Sequence, residues 1–426
     1  MAALEDAGLE WAVLRDEADG EVDVLVGAAD VQRAVGVLQA AGFGQVPSWG
    51  RGTHRFLRRY DPDRDEWCTV DLVGEVAFGP LLDLRSALGA ACLARRQGGP
   101  GQWRLHPDDH FWLLLLHCLL DKGGVVGRHG PALRAAADAA SSQGPVPDLV
   151  ALLAGPGPED LRSMVRDGDW EGFSRAARPV RRAWTRSARL AVLRRRLLNA
   201  SLQGSTKVWV PLRRRGISVV LLGPDGAGKS TAAAAMVQTW PTPARRLYGG
   251  HYGRRLPVPE GVPGLGLAAR LLVQVGGECL AAAHRWRGRL VVHDRHAYDA
   301  RRRMPGSGRP GAGRWLLGRL CLPPGLVVVL DAPGDELFRR SGEHSAAALD
   351  VQRRGYLDLA ARLRHVVVVD ASGSTDRVRR DLTRAAWTRQ VDVWHRSGLN
   401  RRASPALFTG RTAGPRRPYR QEMTST

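Results

Sequence analysis

The 426-residue chain predicts an α/β fold: a parallel sheet with helices on both faces in its second half, preceded by a smaller α/β unit. Three observations carry this. Between 211 and 390, short runs of Val, Ile and Leu alternate with helix-like segments, the pattern of a parallel sheet. The runs 289–293, 326–330 and 365–369 each lead straight into an aspartate: Asp294, Asp331 and Asp370. A glycine-rich stretch, Gly223-Pro-Asp-Gly-Ala-Gly-Lys-Ser-Thr231, stands between a strand-like run at 217–222 and a helix start at 231–236.

In chain order, residues 1–150 read as a small α/β domain. Strands are predicted at 11–14, 22–26, 55–60 and 67–73, with a helix over 29–41 through Val31, Val35 and Leu38. Helices follow at 106–121 and 129–141. The apolar run 111–120, interrupted by His117, is too short to span a bilayer and reads as a core helix. Residues 151–210 form a basic helical connector, in which Val180, Trp184, Ala191 and Leu198 share one stripe opposite Arg182, Arg189 and Arg196. From 172 to 224 there are thirteen Arg or Lys and no acid, and from 388 onward the net charge is +6. Most of the total charge of +21 thus sits in connector and tail. The connector is either a solvated face or a surface for an anionic partner, and its few aromatics count against nucleic acid. The tail, 391–426, is polar, rich in Arg, Pro and Gly, and expected to be disordered. Five scattered cysteines without a C-x-x-C pair point to a reducing, cytoplasmic setting, as does the absence of a secretory pattern around Glu5 and Asp6.

Only three of the 63 basic residues are lysines, and one is Lys229 in the glycine-rich stretch. That stretch fits G-x-x-x-x-G-K-[ST], a loop that cradles phosphates. A compact ammonium can reach between β- and γ-phosphates where a forked guanidinium fits poorly. Gly223, Gly226, Ala227, Gly228, Lys229, Ser230 and Thr231 are the candidate nucleotide-binding residues, since backbone amides there would surround a β-phosphate. The Ser230 hydroxyl suits Mg²⁺, which prefers oxygen donors.

Together with Asp294-Arg295, the region 215–388 resembles the thymidylate kinase-like family of P-loop kinases. The loop matches the family's G-x-D-G-x-G-K-S-T. Asp294-Arg295 looks like its acid-arginine pair, and Arg339-Arg-Ser-Gly-Glu-His-Ser345 with Gln352-Arg-Arg-Gly-Tyr356 resembles its arginine-bearing lid and the next helix. The resemblance implies a nucleoside-monophosphate-kinase-like fold and transfer of the γ-phosphoryl group of ATP, with Mg²⁺, to a small-molecule acceptor. It implies catalytic roles for Lys229, Asp225, Asp294, Arg295, Arg339, Arg340 and Arg353, with Arg354 a further lid candidate. Arg295 would hold the acceptor's oxygens; Ser230 and Asp294 would serve the metal. One departure matters. The Ser, Tyr and Gln group that reads thymine in the family is replaced by Ala300-Arg-Arg-Arg-Met-Pro, which predicts an acceptor other than thymidylate: another nucleotide, a sugar or a phosphorylated small molecule. Plainer roles stay open, with Asp294-Arg295 as a strand-end ion pair and Asp331 and Asp370 as loop caps.

In the first domain, Glu21-Val-Asp23 with Asp71 resembles the nucleotidyltransferase fold, and Phe78-Gly79 looks like members fused ahead of such kinases. Acids at i and i+2 share a sheet face. Glu21, Asp23 and Asp71 would then hold a divalent metal. The family's Gly-Ser turn is missing, however, and its leading acid is here a glutamate, so exposed acids on edge strands or a non-catalytic relative are the alternatives. Lys122 is either a phosphate contact or a surface lysine. For the whole chain, the competing readings are a phosphotransferase, a non-catalytic nucleotide-binding regulatory protein whose basic connector engages a partner, and an NTPase acting on nucleic acid.

Overall fold

The computed structural model describes residues 1–16, 20–46, 50–153, 155–213, 216–248, 265–301, 321–342 and 344–396. In the first half, β1 (Trp11–Asp16), β2 (Glu21–Val26), β3 (Gly44–Gln45), β4 (Arg55–Asp61) and β5 (Glu66–Val73) make a mixed sheet of order β1-β2-β5-β4-β3. Only β2 and β5 pair in parallel, with Asp23 opposite Asp71. Side-chain alternation gives the sheet two working faces. Trp11, Val24, Val26, Leu57, Val70 and Leu72 bury one face beneath the helix Val31–Ala40. Ala12, Leu14, Leu25 and Val73 bury the other, and Asp23 and Asp71 share that parity. The acids are therefore not on edge strands; they are 6% and 5% exposed in the middle of the sheet.

The second face is covered by helices. Pro107–Leu116 carries Asp108, Asp109 and His110 near its start, is apolar from Phe111 onward, and ends in a π turn, His117–Asp121, where one continuous helix was expected. A short ribbon of β6 (Ala77–Phe78) and β7 (Leu84–Arg85) packs beside it. Leu133, Val146, Leu161, Phe173, Val180, Trp184 and Val192 join the same core, so packing runs through the boundary expected at 150 without a break. The connector holds three helices, Pro158–Asp167, Trp170–Ser187 and Arg189–Arg213, the last two separated at Ala188. The break rephases the stripe. Val192 and Asn199 turn inward and Ala191 is exposed. Arg196, expected opposite the apolar stripe, instead donates bonds of 3.0 and 2.8 Å to the buried carboxylate of Asp83.

In the second half, β8 (Ser218–Leu222), β9 (Ala244–Tyr248), β10 (Leu290–Asp294), β11 (Leu326–Asp331) and β12 (Val366–Asp370) form a sheet of order β12-β11-β8-β10-β9, parallel at every pairing. The strand β9 had no signal in the sequence pattern. The chain crosses from one side of β8 to the other between β10 and β11, and such switch points open a crevice at the strands' carboxyl ends. The last helix, Thr375–Arg396, runs past the expected start of the tail at 391 because Gln390 and Trp394 are buried against the sheet. The rest of the tail, 397–426, lies outside the described residues.

The halves share a core. Tyr60 and Trp67 of the first sheet pack with Trp240, at the end of the helix Lys229–Thr239, and Trp387 of the helix Thr375–Arg396, the Trp67 ring centroid lying 5.7 and 4.9 Å from theirs. The Trp67 indole donates to the Thr239 carbonyl at 3.1 Å, and Arg379 grips the carboxylate of Asp65 with two bonds. Among the described residues, no helix is long and apolar enough to cross a membrane.

Candidate phosphate-binding site

The loop leaves β8 at Leu222 and enters the helix Lys229–Thr239, whose Ala232, Ala233 and Met236 pack into the core under the sheet. Small residues there let the helix lie close, which brings its first turn to the carboxyl end of β8. The loop needs its glycines. Gly226 has φ +84°, and a Cβ on it would stand 2.7 Å from the Leu337 carbonyl oxygen and 3.2 Å from the Ser341 side chain. The helix Gly334–Ser341, the expected lid, thus rests directly on the loop.

Lys229 is 9% exposed, and its ammonium donates to the carbonyls of Gly223 at 2.9 Å and Pro224 at 2.6 Å. Burial lowers its pKa below the ordinary lysine value. Asp225 and Asp299 pull the other way, and Arg295 adds to the lowering. Asp225 lies 3.8 Å from Lys229 and accepts from Arg295 at 3.0 Å. Arg295, at a positive φ of 71°, is held above its ordinary value: burial works against the charge, but Asp225, Tyr248, Asp299 and Tyr356 outweigh it. Asp299 in turn accepts from the Tyr356 hydroxyl at 2.9 Å, tying this cluster to the helix after the lid. Ser230 and Thr231 are exposed on the first helical turn, Gly228 caps it, and Ala227 is buried beneath it.

Asp294 ends β10, next to Leu221 of β8, and is 1% exposed. Its Oδ2 accepts from Arg246 of β9 at 2.5 Å, whereas its Oδ1 is buried with no hydrogen-bond partner among the described residues. A buried carboxylate oxygen left unpaired is costly unless something binds it. An unpaired oxygen on Asp294 and a hydroxyl on Ser230 fit Mg²⁺, which takes few protein ligands and relies on phosphates and water for the rest.

The other strand-end acids are occupied. Arg353 clasps Asp331 with bonds of 2.5 and 2.9 Å, and Asp370 accepts from the backbone amide of Ser372 at 2.9 Å as a loop cap. Arg340 donates to the carbonyls of Ala371 at 2.7 Å and Ser372 at 3.2 Å, on the far side of its helix. Arg339 and Arg354 are exposed. The lid arginines are therefore not gathered at the loop, because strand-end groups of β11 and the turn after β12 compete for them. Arg246 and Asp299 were missed in the sequence. Arg246 lies on an edge strand without an apolar run, and Asp299 sits in a 3₁₀ turn five residues past the strand-end acid.

In the first half, Asp23 faces Arg15 at 2.8 Å and Asp71 faces His54 at 2.7 Å. Glu21, opposite Thr69 on β5, is not brought into a three-ligand group with them. Among the described residues, no three His, Cys, Asp or Glu side chains could hold a metal ion by themselves. Lys122 is exposed just beyond the π turn.

No family model matches the chain. It is 28% identical over 198 residues to a protein of Thermococcus gammatolerans described as a probable thymidylate kinase, an alignment covering 39% of this chain and 94% of that protein. Over that part the chain is a weak homologue of thymidylate kinase. Among solved structures, thymidylate kinase from Candida albicans aligns at 15% identity over 45% of this chain and 94% of its own, with a TM-score of 0.29, too low to argue a shared fold.

Proposed function

We propose that the chain is an ATP-dependent phosphotransferase, transferring the γ-phosphoryl group to a small-molecule acceptor, of which a nucleotide is the class its curated relative favours. The observation that carries this is the pairing of the loop around Lys229 with Asp294 on the adjacent strand, its Oδ1 buried and unpaired. Mg²⁺ bound with ATP would supply neutralising charge at the phosphates. Loop amides orient the phosphates, Lys229 exchanges the Gly223 and Pro224 carbonyls for phosphate oxygens, and Asp225 keeps Arg295 aimed across the crevice. Ser230 and Asp294 would hold the metal. The missing thymine reader argues for an acceptor other than thymidylate; the residues that replace it, from 302 onward, lie outside the described ones.

The second reading, a nucleotide-binding regulatory protein, is favoured by the lid arginines: Arg340 and Arg353 are committed to Ala371 and Asp331 rather than to the loop. A screen of nucleotides, sugars and sugar phosphates with γ-labelled ATP and the intact chain separates the two. Label on an acceptor supports transfer; ATP binding with no labelled acceptor supports regulation.

A further inference from the structure

A cavity of about 30 Å³ opens between the first sheet and the helix Pro107–Leu116. Its walls are largely apolar, with Val76 and Phe78 among them, and its polar lining is Arg15, His54, His117 and Asp121. Apolar walls with a few convergent polar groups are the usual make-up of small-molecule sites. The volume exceeds what one water needs, and the cavity is open to solvent on one side, so it can seat the end of a larger molecule.

Both histidines are pre-set by carboxylates. His54 Nδ1 lies 2.7 Å from Asp71 Oδ2, and His117 Nδ1 lies 2.6 Å from Asp121 Oδ2. A contact to a carboxylate requires the proton on Nδ1, so each neutral ring presents its Nε2 lone pair as an acceptor. Asp121 is itself fixed by the Gly79 amide at 2.5 Å, and the π turn puts His117 and Asp121 on one side of the helix. Single π turns recur at functional sites. Three buried atoms of this cluster have no hydrogen-bond partner among the described residues: His54 Nε2 and Asp71 Oδ1, both acceptors, and Arg15 Nε, a donor.

The charges decide what fits. Arg15 is balanced by Asp23, and each imidazole already faces an aspartate. An anion would meet the carboxylates of Asp23, Asp71 and Asp121. A divalent cation would meet Arg15 and lacks a third ligand. Hydroxyl groups suit these orphans without adding charge, since each can donate to His54 or Asp71 and accept from Arg15. We infer that this cavity, beside the acid pair where the nucleotidyltransferase resemblance implies a metal, is instead a binding site for a neutral polyhydroxylated small molecule, a sugar or polyol. The inference does not rest on the phosphotransferase reading.

The test uses the intact chain with ring-carbon-labelled histidine, titrated separately with D-ribose, D-glucose, myo-inositol, inorganic phosphate and Mg²⁺. The expected result is a saturable shift of the His54 and His117 signals with at least one of the three hydroxylated probes, weakened about tenfold by His54→Ala, the equivalent of one buried hydrogen bond. His117→Gln, on the opposite wall, serves if His54→Ala unfolds, with circular dichroism reporting the fold. No shift with any hydroxylated probe, or a shift with phosphate or Mg²⁺ alone, overturns the proposal.

Discussion

Two sets of acids sit on strands in this molecule, and their neighbours set them apart. Asp294 at the end of β10 gives one oxygen to Arg246 and keeps the other buried and unpaired beside the phosphate loop. Asp23 and Asp71, side by side in the first sheet, face Arg15 and His54, and Asp71 likewise keeps one buried oxygen, Oδ1, without a hydrogen-bond partner among the described residues. The same residue type at a similar depth stands beside the phosphate loop in one place and beside Arg15 and His54 in the other. What separates them is the neighbourhood: Asp294 pairs with the strand that leads into the phosphate loop, whereas no three-ligand group forms around Asp23 and Asp71 among the described residues.

The contrast can be broken in several ways. The largest effect should come from Lys229→Ala, which removes the ammonium from the loop: phosphoryl transfer should fall by about 1,000-fold or more with the far-ultraviolet circular dichroism unchanged, measured by labelled ATP. Unchanged transfer would remove the loop from the chemistry. Next, Asp294→Asn should lower transfer by about 100-fold and raise the Mg²⁺ concentration needed, whereas Asp23→Asn should leave both within about twofold. Equal losses would put metal chemistry in the first sheet as well.

A smaller effect tests the loop's backbone. Gly226→Ala places a Cβ against the Leu337 carbonyl at positive φ, so chemical denaturation should show a loss of about 1–3 kcal/mol. Little change would mean that the helix Gly334–Ser341 moves aside freely. The smallest concerns the seam between the halves. Burial, then its bond to Asp65, raises the Tyr60 pKa above the ordinary 10.0. The unfolded chain then ionises first, so the stability from Tyr60 is complete below pH 10.0 and is lost as pH rises above it. Tyr60→Phe should flatten the alkaline slope of stability, by about 1 kcal/mol over the first unit. An unchanged slope would mean that Tyr60 ionises alike in both states.

Much of the second half was legible. Runs of branched apolar residues ending in aspartate marked β10, β11 and β12, and the spacing of Gly223, Gly226, Gly228 and Lys229 marked the loop. What escaped was decided by contacts distant in sequence. Ala244-Arg-Arg-Leu-Tyr248 has no apolar period, so β9 and the reach of Arg246 to Asp294, 48 residues away, were invisible. Arg196 looked solvent-facing until the break at Ala188 turned it toward Asp83. His117 and Asp121, at helical i,i+4 spacing, could have been read as a pair; that His54 stands across the same cavity could not.

The most direct measurement is a calorimetric titration of Mg²⁺·ATP into the intact chain, its Lys229→Ala variant and its Asp23→Asn variant. One site per chain is predicted, lost in Lys229→Ala and unaltered in Asp23→Asn. Absence of binding, or a site lost in Asp23→Asn, would contradict the assignment of nucleotide and metal to the loop beside Asp294.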